Sequence, residues 1–417
     1  MDNYSQRILH RLAQNDETLK SLWISPVPNA SRGAYFDLYN NATQFYKLGL
    51  AITTNTNLKD LKVHIDIFNS VNIIAHHQEF YNGLKHNSSI RRLEIHGGVE
   101  RGMGYVILKS YEVNNKQLTS LRISNANLQN EVPIAIANTV RRCAKLQKLE
   151  LSSCHITNEQ LLPIIESIRK HTLIRELNLC LNRIGNDCCE SLATLLEDPN
   201  SNIGILQLQH NDIGNLGVIA IANSLTNNTK LRCLYFDGNP ITLSSLEDVF
   251  SKLLCNTSSI DNTYSSNHTL AELHFPDFVQ PCGSLLLFNE GTNKKHVVMK
   301  KMLRYHPNID MKPLFGWGSK EDEDTLKALP YIIDWFNRAA VAVNDREKRR
   351  ISDVKMAVAV PRRKLSAIYQ FAQAMPLLFA AATPFVASHA KDESTKKSRV
   401  EMESMNKVAT ENCCVIL

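Results

Sequence analysis

The last four residues of the chain form a recognisable modification pattern. Cys414 is followed by two aliphatic residues and Leu417, which is the pattern that prenyltransferases modify, and a final leucine favours a geranylgeranyl group. Cys413 is the candidate for a second lipid, because a single chain anchors a protein to membranes only weakly. The pattern predicts peripheral attachment to a membrane. The alternative is an unmodified apolar end.

Two basic clusters, Arg349–Arg350 and Arg362–Lys364, are separated by eleven residues, the spacing of a two-part nuclear import signal. Neighbouring acidic residues favour the alternative, the solvated face of two helices. Met1–Leu19 carries charges throughout and has no apolar run, so we expect no secretion and reduced cysteines. The expected location is the cytoplasm, at a membrane face if the tail is lipidated; nuclear import is the weaker expectation.

Other candidate sites lack part of what their chemistry requires. Gly97–Gly104 is glycine-rich but has no Lys-Ser/Thr, which a phosphate-binding loop needs. His76 and His77 are adjacent, so they do not share a helix face. Cys188 belongs to an apolar stripe and is expected to pack as a small hydrophobe. No combination of nucleophile, base or paired carboxylates is present, and we predict no catalytic activity, no metal and no cofactor.

A spacing of apolar residues recurs along the first two thirds of the chain. In "LIRELNLCLNRIG", Ile174, Leu177, Leu179 and Ile184 stand at steps of three, two and five, with Asn182 before the last. The first apolar position of each copy is Leu19, Leu58, Ile90, Leu118, Leu146, Ile174, Ile203 and Leu231, and Ile260 is taken as a degenerate ninth copy. Most steps are 28 or 29 residues, which indicates a repeat architecture.

Each unit reads as one strand followed by one helix. The Leu-x-Leu piece alternates with period two, as in a strand with one buried face, whereas the residues after it step by three and four, as on a helix. We expect Asn182 and its equivalents to satisfy backbone groups at the turn between them, with Cys154 in that role in one copy. Such a unit cannot bury its own apolar side, so the copies are expected to stack into a solenoid.

These repeats resemble the ribonuclease-inhibitor type of leucine-rich repeat. The offsets are kept best from Leu118 to Ile241. The resemblance implies an α/β horseshoe, with parallel strands on the concave face and helices on the convex face, that usually binds a protein. We predict a solenoid with capping units over 1–288, an α-helical region over 289–387 and a disordered tail over 388–417. The helical region resembles the extension of leucine-rich-repeat proteins from diatom-like algae.

The strand residues between the buried leucines are the candidate partner-binding positions, because they point away from the helices. They are Trp23, Lys62, Arg92, Glu94, Arg122, Lys148, Glu150, Glu176, Asn178, Gln207 and Tyr235. Nine strands give a face about 40 Å long. The alternative interpretation is that the charged residues pair with one another across strands.

The function expected from these features is that of a non-catalytic scaffold or adaptor that binds a protein on the concave face. The alternative is a regulator of a small GTPase, since the Ran-type GTPase-activating family is built on the same repeat. That family ends in a strongly acidic tail, whereas here the tail has mixed charge. The third from Asn289 onward holds 22 Lys and Arg against 15 Asp and Glu, so the repeats are near neutral and no nucleic acid is expected. Neither the partner nor the oligomeric state follows from the sequence.

Overall fold

The computed structural model describes residues 3–26, 34–37, 42–65, 78–97, 103–114, 117–242, 246–275, 280–290 and 294–306. The chain divides into two compact units, Met1–Val297 and Val298–Leu417. The repeats all lie in the first unit. The predicted lipidation residues Cys413 and Cys414, the basic clusters and the helices predicted after Pro307 lie outside the described residues.

The first unit is built on a ten-stranded parallel sheet. Its strands are β1 (Ser21–Ser25), β2 (Tyr35–Asp37), β3 (Asp60–His64), β4 (Arg92–His96), β5 (Ser120–Ser124), β6 (Lys148–Ser152), β7 (Glu176–Asn178), β8 (Ile205–Gln207), β9 (Cys233–Tyr235) and β10 (Glu272–His274). From β3 to β10 the strands lie side by side in chain order, while β1 adjoins β3 and β2 forms the edge. Every pairing is parallel.

Helices connect successive strands and pack against one another in chain order. They are α1 (Asn3–Ala13), α2 (Ala42–Thr54), α3 (Gln78–His86), α4 (Met103–Asn114), α5 (Val132–Arg142), α6 (Asn158–Arg169), α7 (Asn186–Glu197), α8 (Asn215–Ser224), α9 (Leu246–Leu254), α10 (Ile260–Ser265), α11 (Gln280–Asn289) and α12 (Lys294–Tyr305). The predicted helix in Thr292–Pro307 is confirmed by α12. No helix among the described residues is long and apolar enough to cross a membrane.

The leucines of the repeat form continuous buried rows between the sheet and the helices. Leu121, Leu149 and Leu177 are register partners on neighbouring strands and are fully buried. Their row runs from Leu22 on β1 to Leu273 on β10. Because each unit adds one strand and one helix to the same two layers, the fold is an α/β leucine-rich-repeat solenoid, as the spacing predicts.

The turn asparagines satisfy backbone groups where the chain leaves a strand. The buried amide of Asn211 donates to the carbonyl oxygens of Leu179 and Leu208 at 2.9 and 3.0 Å and accepts from the backbone N–H of Ile184 at 3.1 Å. Cys154 occupies the equivalent place with its thiol toward the Ile123 carbonyl. The role expected for these positions is confirmed.

A second set of buried polar side chains lies at the opposite turn, three residues before the first apolar position of a unit. Asn87 donates to two carbonyl oxygens of the preceding unit and accepts the backbone N–H groups of Ser89 and Ile90. Its counterparts are Asn55, Asn228 and Asn267. His171 takes the place in one unit, bonding the Cys143 carbonyl. The sequence analysis did not detect this second set.

Two long steps in the repeat contain an added element. The ninth copy predicted at Ile260 is wrong: Ile260 begins α10 and is 42% exposed. The last copy starts instead at the buried Leu270 and continues through Leu273 on β10, because α10 is inserted into that unit. The other long step, from Leu19 to Leu58, holds the unpredicted strand β2.

Candidate binding face

One face of the sheet is covered by helices, and the other, here called the strand face, carries half-exposed side chains. Buried and half-exposed residues alternate along the strands. All eleven predicted positions from Trp23 to Tyr235 are of the type that alternates with the buried leucines. Parallel register places them in rows, for example Lys62 beside Glu94 and Gln207 beside Tyr235.

Six charged side chains on β3–β7 form a continuous zigzag, here called the charge ladder. Lys62 Nζ lies 3.2 Å from Glu94 Oε2, and Arg122 Nε lies 3.9 Å from Glu94 Oε1 and 2.9 Å from Glu150 Oε1. Lys148 Nζ then lies 4.0 Å from Glu150 Oε2 and 2.9 Å from Glu176 Oε2. The alternative interpretation, in which these charges pair across strands, therefore describes their geometry.

The ladder covers some of its own members. Glu150 is only 7% exposed because Arg122 and Lys148 approach it from the two sides. Arg92, by contrast, is largely exposed and pairs with Asp60 in the first strand position, and its pKa is raised by that hydrogen bond. Glu150 thus offers little surface to a partner, while Arg92 offers much.

A shallow depression of about 110 Å³ lies at the β3 end of the charge ladder. It is lined by Trp23, Lys62, Val63, His64, Glu94 and His96 and is here called the Trp23 depression. Lys62 Nζ sits 4.9 Å from the centre of the Trp23 ring. The rings of His64 and His96 meet edge to face, with centroids 4.6 Å apart.

His96 is held in one protonation state by its surroundings. Its Nε2 faces the side-chain amide of Asn125 at 3.1 Å and its Nδ1 faces Ser124 Oγ at 3.1 Å. An amide N–H donates to an unprotonated ring nitrogen, so Nδ1 carries the proton. Burial, the adjacent His64 and Arg122 lower the pKa of His96, and Glu94 opposes this. The ring is therefore neutral around neutral pH.

The strand face changes character from β7 onward. Asn178, Cys180, Ile205, Gln207, Gln209 and Cys233 form an uncharged, half-exposed region, here called the neutral patch. Within the described part of the chain none of them takes part in an ion pair. Cys180 Sγ lies 2.6 Å from Gln209 Oε1, which links neighbouring strands without charge. Such a surface loses little solvation free energy when a partner covers it.

An aromatic pair closes the far end of the strand face. The rings of Tyr235 and His274 stack with centroids 4.8 Å apart. The Tyr235 hydroxyl donates to Glu272 Oε2 at 2.6 Å. That bond lowers the pKa of Glu272, whereas burial and the bond together raise the pKa of Tyr235. Tyr235 is thus fixed in position, as an aromatic contact in an interface needs to be.

The cysteines of the solenoid have the properties of packing residues. Burial raises the pKa of Cys188 to about 12 and that of the half-exposed Cys180 to about 11. Both are thiols at neutral pH, and a thiol is a poor nucleophile and metal ligand. The described residues contain no group of three or more metal-ligating side chains.

Comparison with known proteins gives only partial similarities. No protein-family model and no curated protein matches this chain. The solved structure of leiomodin-1 actin-binding site 2 is 21% identical, covers 47% of this chain and 90% of that chain, and gives a TM-score of 0.29. The tropomodulin C-terminal domain of Caenorhabditis elegans is 11% identical, covers 43% and 83%, and gives 0.23.

Several residues of the strand face were not predicted. His64, His96, Cys180 and Gln209 stand two residues after a predicted position, on the same side of the sheet. Glu272 and His274 lie on β10. The signal for the first group was the same alternation, continued one step further along each strand. The signal for β10 was hidden by the assignment of the last copy to Ile260.

Proposed function

We propose that this chain is a non-catalytic scaffold that binds a protein partner on its strand face. The observation that carries this proposal is the continuous row of half-exposed side chains on a face that no helix of the described solenoid covers. Flat or concave surfaces of this extent suit a macromolecule better than a small ligand. The repeats are proposed to be of the ribonuclease-inhibitor type, because regular units of 28 or 29 residues alternate one strand with one helix.

The two parts of the face support different roles in binding. The neutral patch together with Tyr235 can be desolvated at little cost, which is typical of the centre of an interface. The charge ladder and Arg92 remain partly hydrated and suit the rim, where charges fix register and orientation. Nucleic acid is a poor candidate, because every basic residue on the described part of this face is matched with a carboxylate.

A matched pair of substitutions tests this proposal. Gln207→Arg places a cation in the neutral patch, and Asn223→Arg makes the same amide-to-guanidinium change on the exposed surface of α8. Partners captured by the wild-type chain are identified, and the affinity of the purified partner is then measured for both variants. We expect Gln207→Arg to weaken binding at least about tenfold, or 1.4 kcal/mol, with Asn223→Arg unchanged.

The melting temperature of both variants is recorded to separate binding from folding. Equal loss of affinity in the two variants, or no loss in Gln207→Arg, would contradict binding on the strand face. The alternative of a small-GTPase regulator has no specific support among the described contacts and stays a prediction. Measuring GTP hydrolysis by purified small GTPases with and without this chain tests it directly.

Location and membrane attachment are part of the same proposal. We propose a cytoplasmic protein attached to a membrane through a lipid on Cys414, with Cys413 as a second site. This rests on the residue pattern alone, since both cysteines lie outside the described residues. Cys414→Ser is expected to move the protein from the membrane fraction to the supernatant, and an unchanged distribution would refute the anchor.

A further inference from the structure

The charge ladder has two ends that are compensated less than its interior. Glu94, Arg122, Glu150 and Lys148 each lie within 4.0 Å of two opposite charges. Lys62 and Glu176, at the ends, have one ionic partner each. In an alternating chain, the field of each interior charge is largely cancelled by its two neighbours. The β3 end therefore keeps residual positive charge, and the β7 end keeps residual negative charge.

The positive end coincides with the Trp23 depression. Lys62 bridges the depression, with its stem over Trp23 and its ammonium between the ring and Glu94. Among the described residues, His64 makes a ring contact with His96 but has no hydrogen-bond partner at either nitrogen. Two donors, one ammonium and one imidazole, are thus available in a concave, aromatic-walled space.

The charges around the depression favour an anionic group over a cationic one. Lys62 and Arg122 both approach Glu94, at 3.2 and 3.9 Å, and so neutralise its carboxylate from two sides. A metal cation would meet those same two positive groups, and both nitrogens of His96 are occupied by Asn125 and Ser124. A carboxylate would instead accept from Lys62 and His64.

We propose that the Trp23 depression receives the carboxylate of an aspartate or glutamate side chain from the protein partner. This inference rests on the proposed function, and it adds the chemical character and the orientation of the bound surface. The negative end of the ladder at Glu176 lies four strand spacings away, about 19 Å. The partner surface accordingly carries an acidic side chain at one point and a basic side chain about 19 Å from it.

Binding of the carboxylate strengthens as the pH falls from about 7.5 to about 6, around the ordinary pKa of histidine. Protonation of His64 adds a positive donor directly at the site. The groups that face His64 are His96 on β4, Lys62 on its own strand, Trp23 on β1, and Glu94 with Arg122 behind it. His96 stays neutral over most of this range because its two ring nitrogens are already engaged.

The experiment titrates the full chain with a blocked glutamate, N-acetyl-glutamate N-methylamide, and follows the imidazole C–H signals by NMR. Spectra of His64→Gln and His96→Gln assign those two signals among the 14 histidines. The isosteric blocked glutamine serves as the uncharged probe. We expect a saturable shift of the His64 signal with the glutamate probe only, and tighter binding at the lower pH.

Two lysine variants give the matched comparison. Lys62→Met keeps the alkyl stem against Trp23 and removes the charge, whereas Lys148→Met makes the same change at an interior position of the ladder. Loss of one ion pair at a partly exposed site corresponds to about fivefold weaker binding in Lys62→Met, with Lys148→Met close to wild type. His64→Gln is expected to abolish the pH dependence.

The proposal is overturned if the glutamate probe gives no saturable shift, if the glutamine probe gives the same shift, or if Lys62→Met binds as well as wild type. Melting temperatures of the variants confirm that each is folded. This titration needs no partner, so it is independent of the capture experiment. If Gln207→Arg abolishes capture while the titration fails, the binding face stands and only the carboxylate site is withdrawn.

Discussion

Strands β3–β7 and strands β7–β10 have the same parallel register and the same buried leucine row, yet their exposed residues differ in kind. The first group carries six charges that neutralise one another, and the second carries amides, thiols, an isoleucine and a tyrosine. The repeat fixes only the residues that face the helices. Residues on the other side of each strand are free to vary, and this solenoid uses them for two different surfaces.

The two regions also rest on different buried supports. Under the charged region, Gly49 on α2 and Gly83 on α3 let the two helix backbones come into direct contact. Under the neutral region, Asn182, Asn211 and Asn239 connect successive turns with buried hydrogen bonds. The corresponding turn positions under the charged region are Ala126 and Cys154. The stability of each half therefore depends on a different kind of contact.

The largest effect is expected from Gly49→Ala. A methyl group at this position would overlap the backbone of Glu79 and Phe80 on α3, and overpacking of this kind costs about 3 kcal/mol. The free energy of unfolding, measured by urea titration, should fall by that amount. Lys47→Ala, an exposed change on the same helix, is the control and should stay within about 0.5 kcal/mol. Similar values for the two variants would mean that the helices do not depend on this contact.

Asn211→Ala tests the support of the neutral region and is expected to cost about 2 kcal/mol. It leaves the carbonyl groups of Leu179 and Leu208 and the N–H of Ile184 without their partner in the buried turn, and unsatisfied buried groups of this kind cost about 1–3 kcal/mol. Asn223→Ala, on the exposed surface of α8, is the control. The comparison between halves would be weakened if both changes left the unfolding transition in place.

Arg122→Met tests the charge ladder itself, and about 1 kcal/mol is expected, because the pairs are partly exposed and screened by water. The change removes the link between Glu94 and the buried Glu150. Adding Glu150→Gln should recover part of the loss, since the isolated carboxylate is then gone. A double-mutant cycle in low and high salt measures the coupling. A coupling of zero at low salt would show that the ladder is not energetically connected.

The smallest effect is a pH dependence confined to the charged region. The pKa of His96 is lowered in the folded protein from an ordinary value of 6.5, so between these two values the unfolded chain binds more protons than the folded one. Stability therefore decreases as the pH falls below 6.5 and levels off below the folded-state pKa. Urea unfolding of wild type and His96→Gln across this range should show a shallower decrease in the variant. His10→Gln, an exposed change on α1, should keep the wild-type slope.

The spacing of apolar residues predicted the fold in considerable detail. Leu177, Leu206 and Leu234 were expected on neighbouring parallel strands and are register partners there. The prediction failed where a unit contains an insertion. Ile260 continues the spacing of 29 residues by coincidence and belongs to α10, because a local period cannot distinguish a repeated unit from an inserted helix of similar apolar content.

The candidate face was predicted in its position but not in its contacts. The sequence placed Lys62, Glu94, Arg122 and Glu150 on one side of the sheet and allowed either binding or mutual pairing. Their interatomic distances, which depend on register and rotamer, decide for mutual pairing. The Trp23 depression joins side chains from three separate units, so no local pattern announces it.

The sequence by itself determined which residues are buried, how often strand and helix alternate, and that units must stack, because each requirement follows from apolar surface that a single unit cannot hide. The tertiary structure alone decided which exposed side chains meet. Neighbours across parallel strands are 28 or more residues apart along the chain, and their contact depends on the register of the whole sheet. Chemistry on the strand face is therefore a property of the stack, while its scaffold is a property of the repeat.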